Sequence, residues 1–120
     1  MAWDFSTDPD FEADLGWVRR FVDDTIFPLE LAGEGLNQRQ LDALWAPFKR
    51  QVKERGLWAA HLPPEHGGCG MGQLRLALLH EVLGRSVLAP EIFGCQAPDS
   101  GNAELLAAGA SEAQARRWLE

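Results

Sequence analysis

The hydrophobic positions near the start of the chain recur in steps of three and four residues. This spacing places side chains on one face of an α-helix, with polar residues on the opposite face. The positions that share it are Phe11, Leu15, Val18, Val22 and Ile26. The pattern therefore predicts a first amphipathic helix whose apolar stripe faces a core.

The residues at both ends of this stripe fit the same prediction. Asp8 is a good N-cap, and Pro9 suits the first helical position because its missing N–H would have no partner there. Pro28 predicts either the end of the helix or a kink, since proline cannot donate the next helical hydrogen bond. A short acidic link, 30–35, follows.

A second amphipathic helix is predicted to begin at Asn37, which can act as its cap. Pro47 lies inside this pattern, so we expect a kink or two shorter helices that meet at Ala46. Lys53 and Arg55 precede Gly56, and cations followed by glycine are typical of a helix C-terminus. The apolar positions of this helix are Leu41, Leu44, Trp45, Phe48 and Val52.

The stretch 63–72 contains two prolines and four glycines, which exclude regular structure over its length. A third helix is predicted from about Gln73 to Val87. It is apolar nearly all round, so we expect other helices to enclose it. Glu81 and Arg85 stand four residues apart and are positioned to pair on one helix face.

Two further helices are predicted in the last quarter of the chain. Asp99 or Ser100 can cap the fourth helix, and Ser111 with Gln114 forms the capping-box pattern that starts the fifth. No alternating strand pattern of useful length and no internal repeat is present. The sequence thus predicts an all-α domain over residues 1–120, an orthogonal or up-down bundle of about five helices.

Composition supports a folded domain and argues against nucleic acid as the main partner. Of the 120 residues, 46% are hydrophobic and 24% charged, as in average globular proteins. The formal net charge is −7, whereas phosphate binding needs clustered Lys and Arg. The longest apolar stretch, 74–88, is too short and too charged to predict a membrane span.

Cysteine usage and the amino terminus favour a cytoplasmic location. Cys69 and Cys95 form no CxxC pair, and they fit a reduced protein with buried or incidental thiols. The first ten residues are acidic and lack the basic segment and apolar run of a secretory signal. We therefore expect a cytoplasmic protein without a structural disulfide.

The glycine-rich loop 67–72 invites two other interpretations, a phosphate cradle and a metal site. It lacks the Lys-Ser/Thr pair of a P-loop, so a tight turn that joins two helices is favoured. His61, His66 and Cys69 are too few and wrongly spaced for a closed zinc site, and we predict no metal. His80 and Glu81 are adjacent on a helix and point in different directions. We therefore expect Glu81 to be a buried, paired structural carboxylate.

Three stretches, taken in order, resemble the acyl-CoA dehydrogenase family. The first runs from Gly56-Leu57 to the Pro-Glu-His-Gly-Gly-x-Gly segment at 64–70, the second is the His-Glu-Val-Leu-Gly segment at 80–84, and the third is the Gly-Ala-Ser-x-x-Gln-x-x-x-Trp-Leu segment at 109–119. Ala110 stands where the family usually has glycine. A finer resemblance is the Cys-Gln-Ala-Pro-Asp-Ser-Gly-Asn segment at 95–102, which is similar to the branch related to human family members ten and eleven.

The resemblance implies the fold and the role of the domain. A full family member has a helical amino-terminal domain, a middle β-domain and a carboxy-terminal helical bundle. FAD lies mainly between the latter two and a neighbouring subunit, and the catalytic glutamate belongs to the carboxy-terminal bundle. We therefore expect no catalytic residue among the 120 residues. The domain is expected to form one wall of the acyl-CoA cleft and to help exclude water.

The resemblance also implies a reaction and partners. The complete protein would oxidise acyl-CoA to trans-2-enoyl-CoA and pass electrons through FAD to an electron-transfer flavoprotein. The branch is associated with longer or unusual acyl chains, including hydroxylated ones. A homo-oligomer, or pairing with the remaining domains, is expected. Alternatives are another flavin enzyme of the superfamily, such as an acyl-CoA oxidase, a nitroalkane oxidase or a flavin monooxygenase, and a non-catalytic helical interaction module.

The segment 96–102 carries the candidate site residues. Gln96, Ala97, Asp99 and Asn102 align with the family stretch that lines the acyl end of the cleft, which implies contact with the acyl chain. A structural interpretation is equally open. In that case Asp99 or Ser100 caps a helix and Asn102 makes loop hydrogen bonds.

Overall fold

The computed structural model describes residues 4–119, and these residues form an all-α fold, as predicted. A continuous helical run covers 9–32, and five separate helices follow it, so the predicted number of about five is close. The elements, in chain order, are α1 Pro9–Phe21, a π turn Val22–Ile26, α2 Phe27–Ala32, α3 Gln38–Glu54, a 3-10 turn Pro64–His66, α4 Gln73–Leu83, α5 Ala89–Ile92, α6 Asp99–Gly109 and α7 Glu112–Trp118.

The first helical run buries the stripe that the sequence predicts. Asp8 caps α1, because its carboxylate accepts a hydrogen bond from the backbone N–H of Phe11 at 3.0 Å. All five stripe positions are buried. The helix does not end at Pro28. A π turn comes directly before it, and the N–H of Phe27 donates to the carbonyl of Val22 instead of the carbonyl of Asp23.

Helix α3 is one continuous helix, so the alternative of two helices that meet at Ala46 is wrong. Its start is confirmed, because Asn37 and Gln40 form a reciprocal capping box. Pro47 lies on the exposed side, and so does Ala43, whose carbonyl loses its helical donor. Water can hydrogen-bond that carbonyl, which lowers the penalty of an internal proline.

The core lies between the first helical run, α4 and α5, and the residues after α3 close it. Phe93 is almost fully buried and meets Phe21 edge-on at a centroid distance of 6.1 Å and Trp17 at 6.5 Å. Trp17 stacks on Phe21 at 4.6 Å. The most deeply buried large side chains of the core are Phe93, Ile26, Leu79, Leu83, Ile92, Val18, Val22 and Val52.

Helix α4 differs from its prediction in length, enclosure and pairing. It ends at Leu83, and Gly84 is its C-cap. One face is buried, but Leu74 and Ala77 are exposed, so this chain does not enclose the helix on all sides. Glu81 is also exposed, which corrects the prediction of a buried, paired carboxylate.

The spacing predicts that Arg85 pairs with Glu81. In the structure Arg85 instead pairs with Asp23 of the π turn at 2.6 Å. The predicted partner is four residues away along the chain, whereas the observed partner comes from a different helical segment. Tertiary packing has therefore replaced a local pair with a link between α4 and the first helical run.

The last two helices lie against each other and only lightly against the rest of the chain. The capping box of Ser111 and Gln114 at the start of α7 is confirmed. No residue of α6 is buried, and Ala115 is the buried residue of α7. The Cα radius of gyration is 15.3 Å, against about 14 Å for a compact chain of this length.

None of the helices within residues 4–119 combines the length and the apolar character that crossing a membrane requires.

Candidate functional site

The elbow, which we define as residues 63–72, reverses the chain between α3 and α4. Gly56 takes a left-handed conformation with φ +76° and ends α3, as predicted. Gly68 lies so close to the backbone that a Cβ atom there would be 2.1 Å from the carbonyl oxygen of Leu62. Any residue other than glycine at this position would force the backbone to shift. The elbow therefore packs tightly against the segment before it.

A thiol fixes the elbow to the end of α3. The Sγ atom of Cys69 lies 2.9 Å from the carbonyl oxygen of Gly56 and 3.7 Å from that of Trp58. Burial raises the pKa of the Cys69 thiol, and Asp14 adds to the shift. The thiol therefore stays protonated and acts as a donor to backbone carbonyls, not as a nucleophile.

A link, residues 93–98, connects the core to α6 and runs beside residues 57–62, which precede the elbow. The N–H of Ala59 donates to the carbonyl of Phe93 at 2.9 Å, which joins the link to that segment. Gly94 has φ +66°, and a Cβ atom there would lie 2.5 Å from the Trp58 ring. The indole therefore lies directly on the backbone of the link.

His66 of the elbow, the residues just before the elbow and the link line one open cleft of about 360 Å³, a size within the usual range for small-molecule sites. Helices α6 and α7 also line it. The residues that line the cleft are Lys49, Trp58, Ala59, Leu62, His66, Glu91, Gly94, Gln96, Asp99, Asn102, Ala103, Leu106, Trp118 and Leu119.

Three of the four candidate residues meet in this cleft. Gln96, Asp99 and Asn102 line it, whereas Ala97 is not among its lining residues. The amide of Gln96 is 3.5 Å from the carboxylate of Asp99, a long contact between two groups of the same wall. The structure thus brings together residues from the link and from α6 in one cleft.

The structural interpretation of this segment needs correction. The N-cap of α6 is Pro98, and Asp99 and Ser100 lie inside the first turn without a side-chain capping bond. Asn102 is also helical, so it is not a loop residue. Capping therefore does not account for these polar side chains.

An ion pair between Lys49 of α3 and Glu91 of α5 also lines the cleft, and sequence reasoning missed it. The side chains keep 26% and 18% of their exposure, respectively. The two residues are 42 positions apart, so no local spacing pointed to the pair. The one local signal in the sequence is that Lys49 begins a cluster of cations at 49–55.

Desolvation also shifts the pKa of two other groups, Cys95 of the link and His80 of α4. It raises the pKa of the Cys95 thiol to about 11, so this link residue is protonated at neutral pH. Burial lowers the pKa of His80, and the neighbouring His61 acts in the same direction. His80 is therefore neutral at physiological pH and adds no charge near the core.

The side chains of the cleft do not fit the pyrophosphate of a flavin dinucleotide. Lys49 is already neutralised by Glu91, and Asp99 adds a second carboxylate to the same cleft. Phosphate groups bind where cations or free backbone N–H groups converge. Among residues 4–119, no three His, Cys, Asp or Glu side chains converge as a metal site requires.

Comparison with known proteins places the chain in a family. The model of the acyl-CoA dehydrogenase N-terminal domain matches residues 10–120. The chain is 38% identical over 112 residues to acyl-CoA dehydrogenase family member 10 of Mus musculus, with 83% of this chain and 10% of that protein covered. It is 34% identical over 111 residues to family member 11 of Homo sapiens, with 86% and 14% covered.

A solved structure from Mycobacterium abscessus, assigned to the acyl-CoA dehydrogenases, has the same fold. Its TM-score is 0.79 at 31% identity, with 95% of this chain and 31% of that chain covered. The chain thus spans less than a third of the solved chain and about a tenth to a seventh of the two mammalian proteins. Together with the elbow and the polar segment beside it, these matches show that the chain belongs to the acyl-CoA dehydrogenase N-terminal domain family.

Proposed function

We propose that this domain forms one wall of the acyl-CoA cleft in a flavin-dependent acyl-CoA dehydrogenase, with Gln96, Asp99 and Asn102 next to the acyl group. Ala97 belongs to the same segment but does not line the cleft within this chain. The complete enzyme would oxidise the Cα–Cβ bond of an acyl-CoA to a trans-2-enoyl-CoA. Electrons would leave through FAD to an electron-transfer flavoprotein.

The convergence of the elbow and the 96–102 segment on one cleft carries the proposal. Both segments bear the family resemblance, and they are distant along the chain. His66 of the elbow and Leu62 directly before it line the cleft, and Asn102 lines it from α6. If the two segments lay on unrelated surfaces, they could not form one wall of an acyl-CoA cleft.

The cleft wall supports a role in shaping and drying the site. Trp58, Leu62 and Leu106 provide apolar surface, and hydrocarbon binds such surface because both leave water. A water-poor site strengthens electrostatic interactions with the reacting group. The proposed contribution of this chain is therefore binding and water exclusion, and none of its residues is assigned a proton-transfer step.

The cofactor follows from the family and not from the cleft. Because the cleft residues do not fit a pyrophosphate, we assign FAD to parts of the enzyme outside residues 4–119. Pairing with those parts, or with a second subunit, is proposed to cover the exposed apolar residues of α6 and α7. Leu105 is 73% exposed and Trp118 is 65% exposed. A cytoplasmic location remains our proposal.

A domain exchange tests the proposal. Residues 10–120 replace the matching segment of the Mycobacterium abscessus protein, and the visible absorption band of the purified flavoprotein is followed as straight-chain acyl-CoAs are added. We expect the band to bleach without oxygen, because the substrate reduces the flavin. A folded, flavin-loaded exchange protein that bleaches with none of the acyl-CoAs would overturn the proposal.

The oxygen dependence of the proposed complete enzyme, which would supply its own flavin site and catalytic base, separates the alternatives. An acyl-CoA oxidase would return the flavin to its oxidised form rapidly in air, and a nitroalkane oxidase would bleach with nitroalkanes instead of acyl-CoAs. A non-catalytic module would give a folded protein without any bleaching.

The isolated 120-residue chain provides a second test. We expect that it does not bind FAD tightly and does not turn over acyl-CoA. We also expect it to self-associate through its exposed apolar residues. Sedimentation velocity and binding of a hydrophobic dye measure the association. A yellow isolated chain that acyl-CoA bleaches, or a strict monomer that does not bind the dye, would contradict these expectations.

A further inference from the structure

The Lys49–Glu91 ion pair is unusual among the charge pairs of residues 4–119. It is the least exposed of them, and both of its members line the cleft. The other pairs join more exposed side chains away from the cleft, for example Arg55 with Asp14 and Arg85 with Asp23. A partly exposed pair contributes little to stability, so stability alone does not explain why this pair lies in the cleft.

The cleft contains two kinds of surface. Trp58, Leu62 and Leu106 are apolar, whereas the ion pair and the neighbouring polar residues form a hydrogen-bonding surface. The pair connects α3 to α5, so two separate helices fix its place in the wall. A chain-like ligand that fills the cleft therefore meets both apolar surface and fixed charges.

Hydrocarbon that covers the pair would remove water from two charged groups and would offer no hydrogen bond in return. Such desolvation is costly, even when the charges remain paired. An apolar chain gains free energy where it contacts Trp58, Leu62 and Leu106, and it loses free energy where it covers Lys49 and Glu91. A polar group that blocks the wrong ligand is a common source of specificity.

We propose that the Lys49–Glu91 pair determines acyl-chain specificity by acting as a polar stop for the apolar chain. Acyl groups that end before the pair are accepted, and unbranched groups that reach it are disfavoured. This inference rests on the proposed function, because it takes the cleft to hold the acyl group. It adds a residue pair that limits chain length and names the apolar chain as the part that is limited.

The test uses the exchange protein described above and a graded series of straight-chain saturated acyl-CoAs. The variant K49M/E91M replaces the ion pair by apolar side chains of similar length. Replacing a buried ion pair by apolar residues is often neutral for stability or even favourable. The measured quantity is kcat/KM for each chain length. It is expressed as the ratio of the value for the first chain length that the unmodified protein disfavours to the value for the longest chain that it accepts.

We expect K49M/E91M to raise this ratio by about tenfold or more, since each methylene placed in an apolar pocket changes kcat/KM by about that factor. K49R keeps the ion pair and should keep the wild-type length preference. The matched control R85M/D23M removes an ion pair outside the cleft and should leave the ratio unchanged. K49Q/E91Q, which removes the charges but keeps polar side chains, should shift the ratio in the same direction by less.

The outcomes separate this inference from the proposed function. If the unmodified exchange protein turns over acyl-CoAs but neither K49M/E91M nor K49Q/E91Q changes its length preference, the polar stop is wrong and the proposed function stands. A control R85M/D23M that shifts the ratio equally would also overturn it, since the effect would then not depend on the cleft. If no acyl-CoA reduces the flavin in the unmodified protein, both ideas fall together.

Discussion

Two regions of this domain differ in how much of their apolar surface is buried. One is the first helical run with α4, and the other is the pair α6 and α7. The first run buries a complete stripe against the core, and its side chains reach zero exposure at Val18, Val22 and Ile26. In α6 no residue is buried, and Leu105 and Trp118 remain open to solvent. The first region is stabilised by contacts within the chain, whereas the second exposes apolar surface to solvent.

Truncation of the core should give the largest contrast between the two regions. Phe93→Ala removes an aromatic ring that contacts Trp17 and Phe21, and we expect it to lower the free energy of unfolding by about 3–5 kcal/mol. Leu105→Ala in α6 should change it by less than about 0.5 kcal/mol. Urea unfolding followed by circular dichroism measures both. Equal losses would show that α6 belongs to the same cooperative core.

Glycine substitutions should sharpen the contrast at the level of the backbone. Gly94→Ala places a Cβ against Trp58 in a left-handed conformation, and we expect a loss of about 2–4 kcal/mol. Gly101 in α6 has no neighbouring atom within 4 Å of an added Cβ. Gly101→Ala should therefore stabilise the chain by about 0.5 kcal/mol, since alanine favours the helix. Thermal unfolding of the two variants side by side decides; a neutral Gly94→Ala would contradict the packing of the link.

The pH dependence of stability should report on the link between the two regions. Burial raises the pKa of the Cys95 thiol to about 11 from its ordinary value of 9.0, so the unfolded chain loses this proton first as the pH rises. Stability is then unaffected below about pH 9 and falls by up to about 2 kcal/mol as the pH approaches 11. Cys95→Ala should lack this fall. Urea unfolding of both proteins across the alkaline range measures the difference, and parallel pH profiles would refute the assignment.

The two capping boxes provide the smallest and most local test. Asn37→Ala removes the cap of α3, and we expect a global loss of about 1 kcal/mol. Ser111→Ala removes the same motif from α7, where little is buried. It should mainly increase hydrogen exchange in α7 and leave the unfolding midpoint almost unchanged. A larger global loss from Ser111→Ala than from Asn37→Ala would reverse our view of the two regions.

Local signals in the sequence predicted much of this fold. The stripe from Phe11 to Ile26 and the caps Asp8, Asn37 and Ser111 each depend on neighbours within one or two turns, and the structure confirms them. The same signals failed where solvent or tertiary contacts decide. Pro47 faces water and does not break α3, which its position along the chain does not reveal.

The candidate site was predictable only in part, for a similar reason. Resemblance pointed to the segment 96–102, and three of its four named residues line the cleft. The partners across the cleft come from α3, α5 and the elbow, and their contacts join residues far apart in sequence. Arg85, which pairs with Asp23 instead of Glu81, shows the same effect outside the site.

The π turn at Val22–Ile26 has a consequence for how this family can change in length. In an α-helix, removal of one residue rotates everything after it by about 100° and would turn Leu29 away from the core. A wider turn already holds one extra residue per hydrogen-bonded ring, so a deletion within it can be taken up by tightening to α-helical geometry. Single-residue gaps among relatives should therefore concentrate at this turn, and the helices on either side should keep their buried faces.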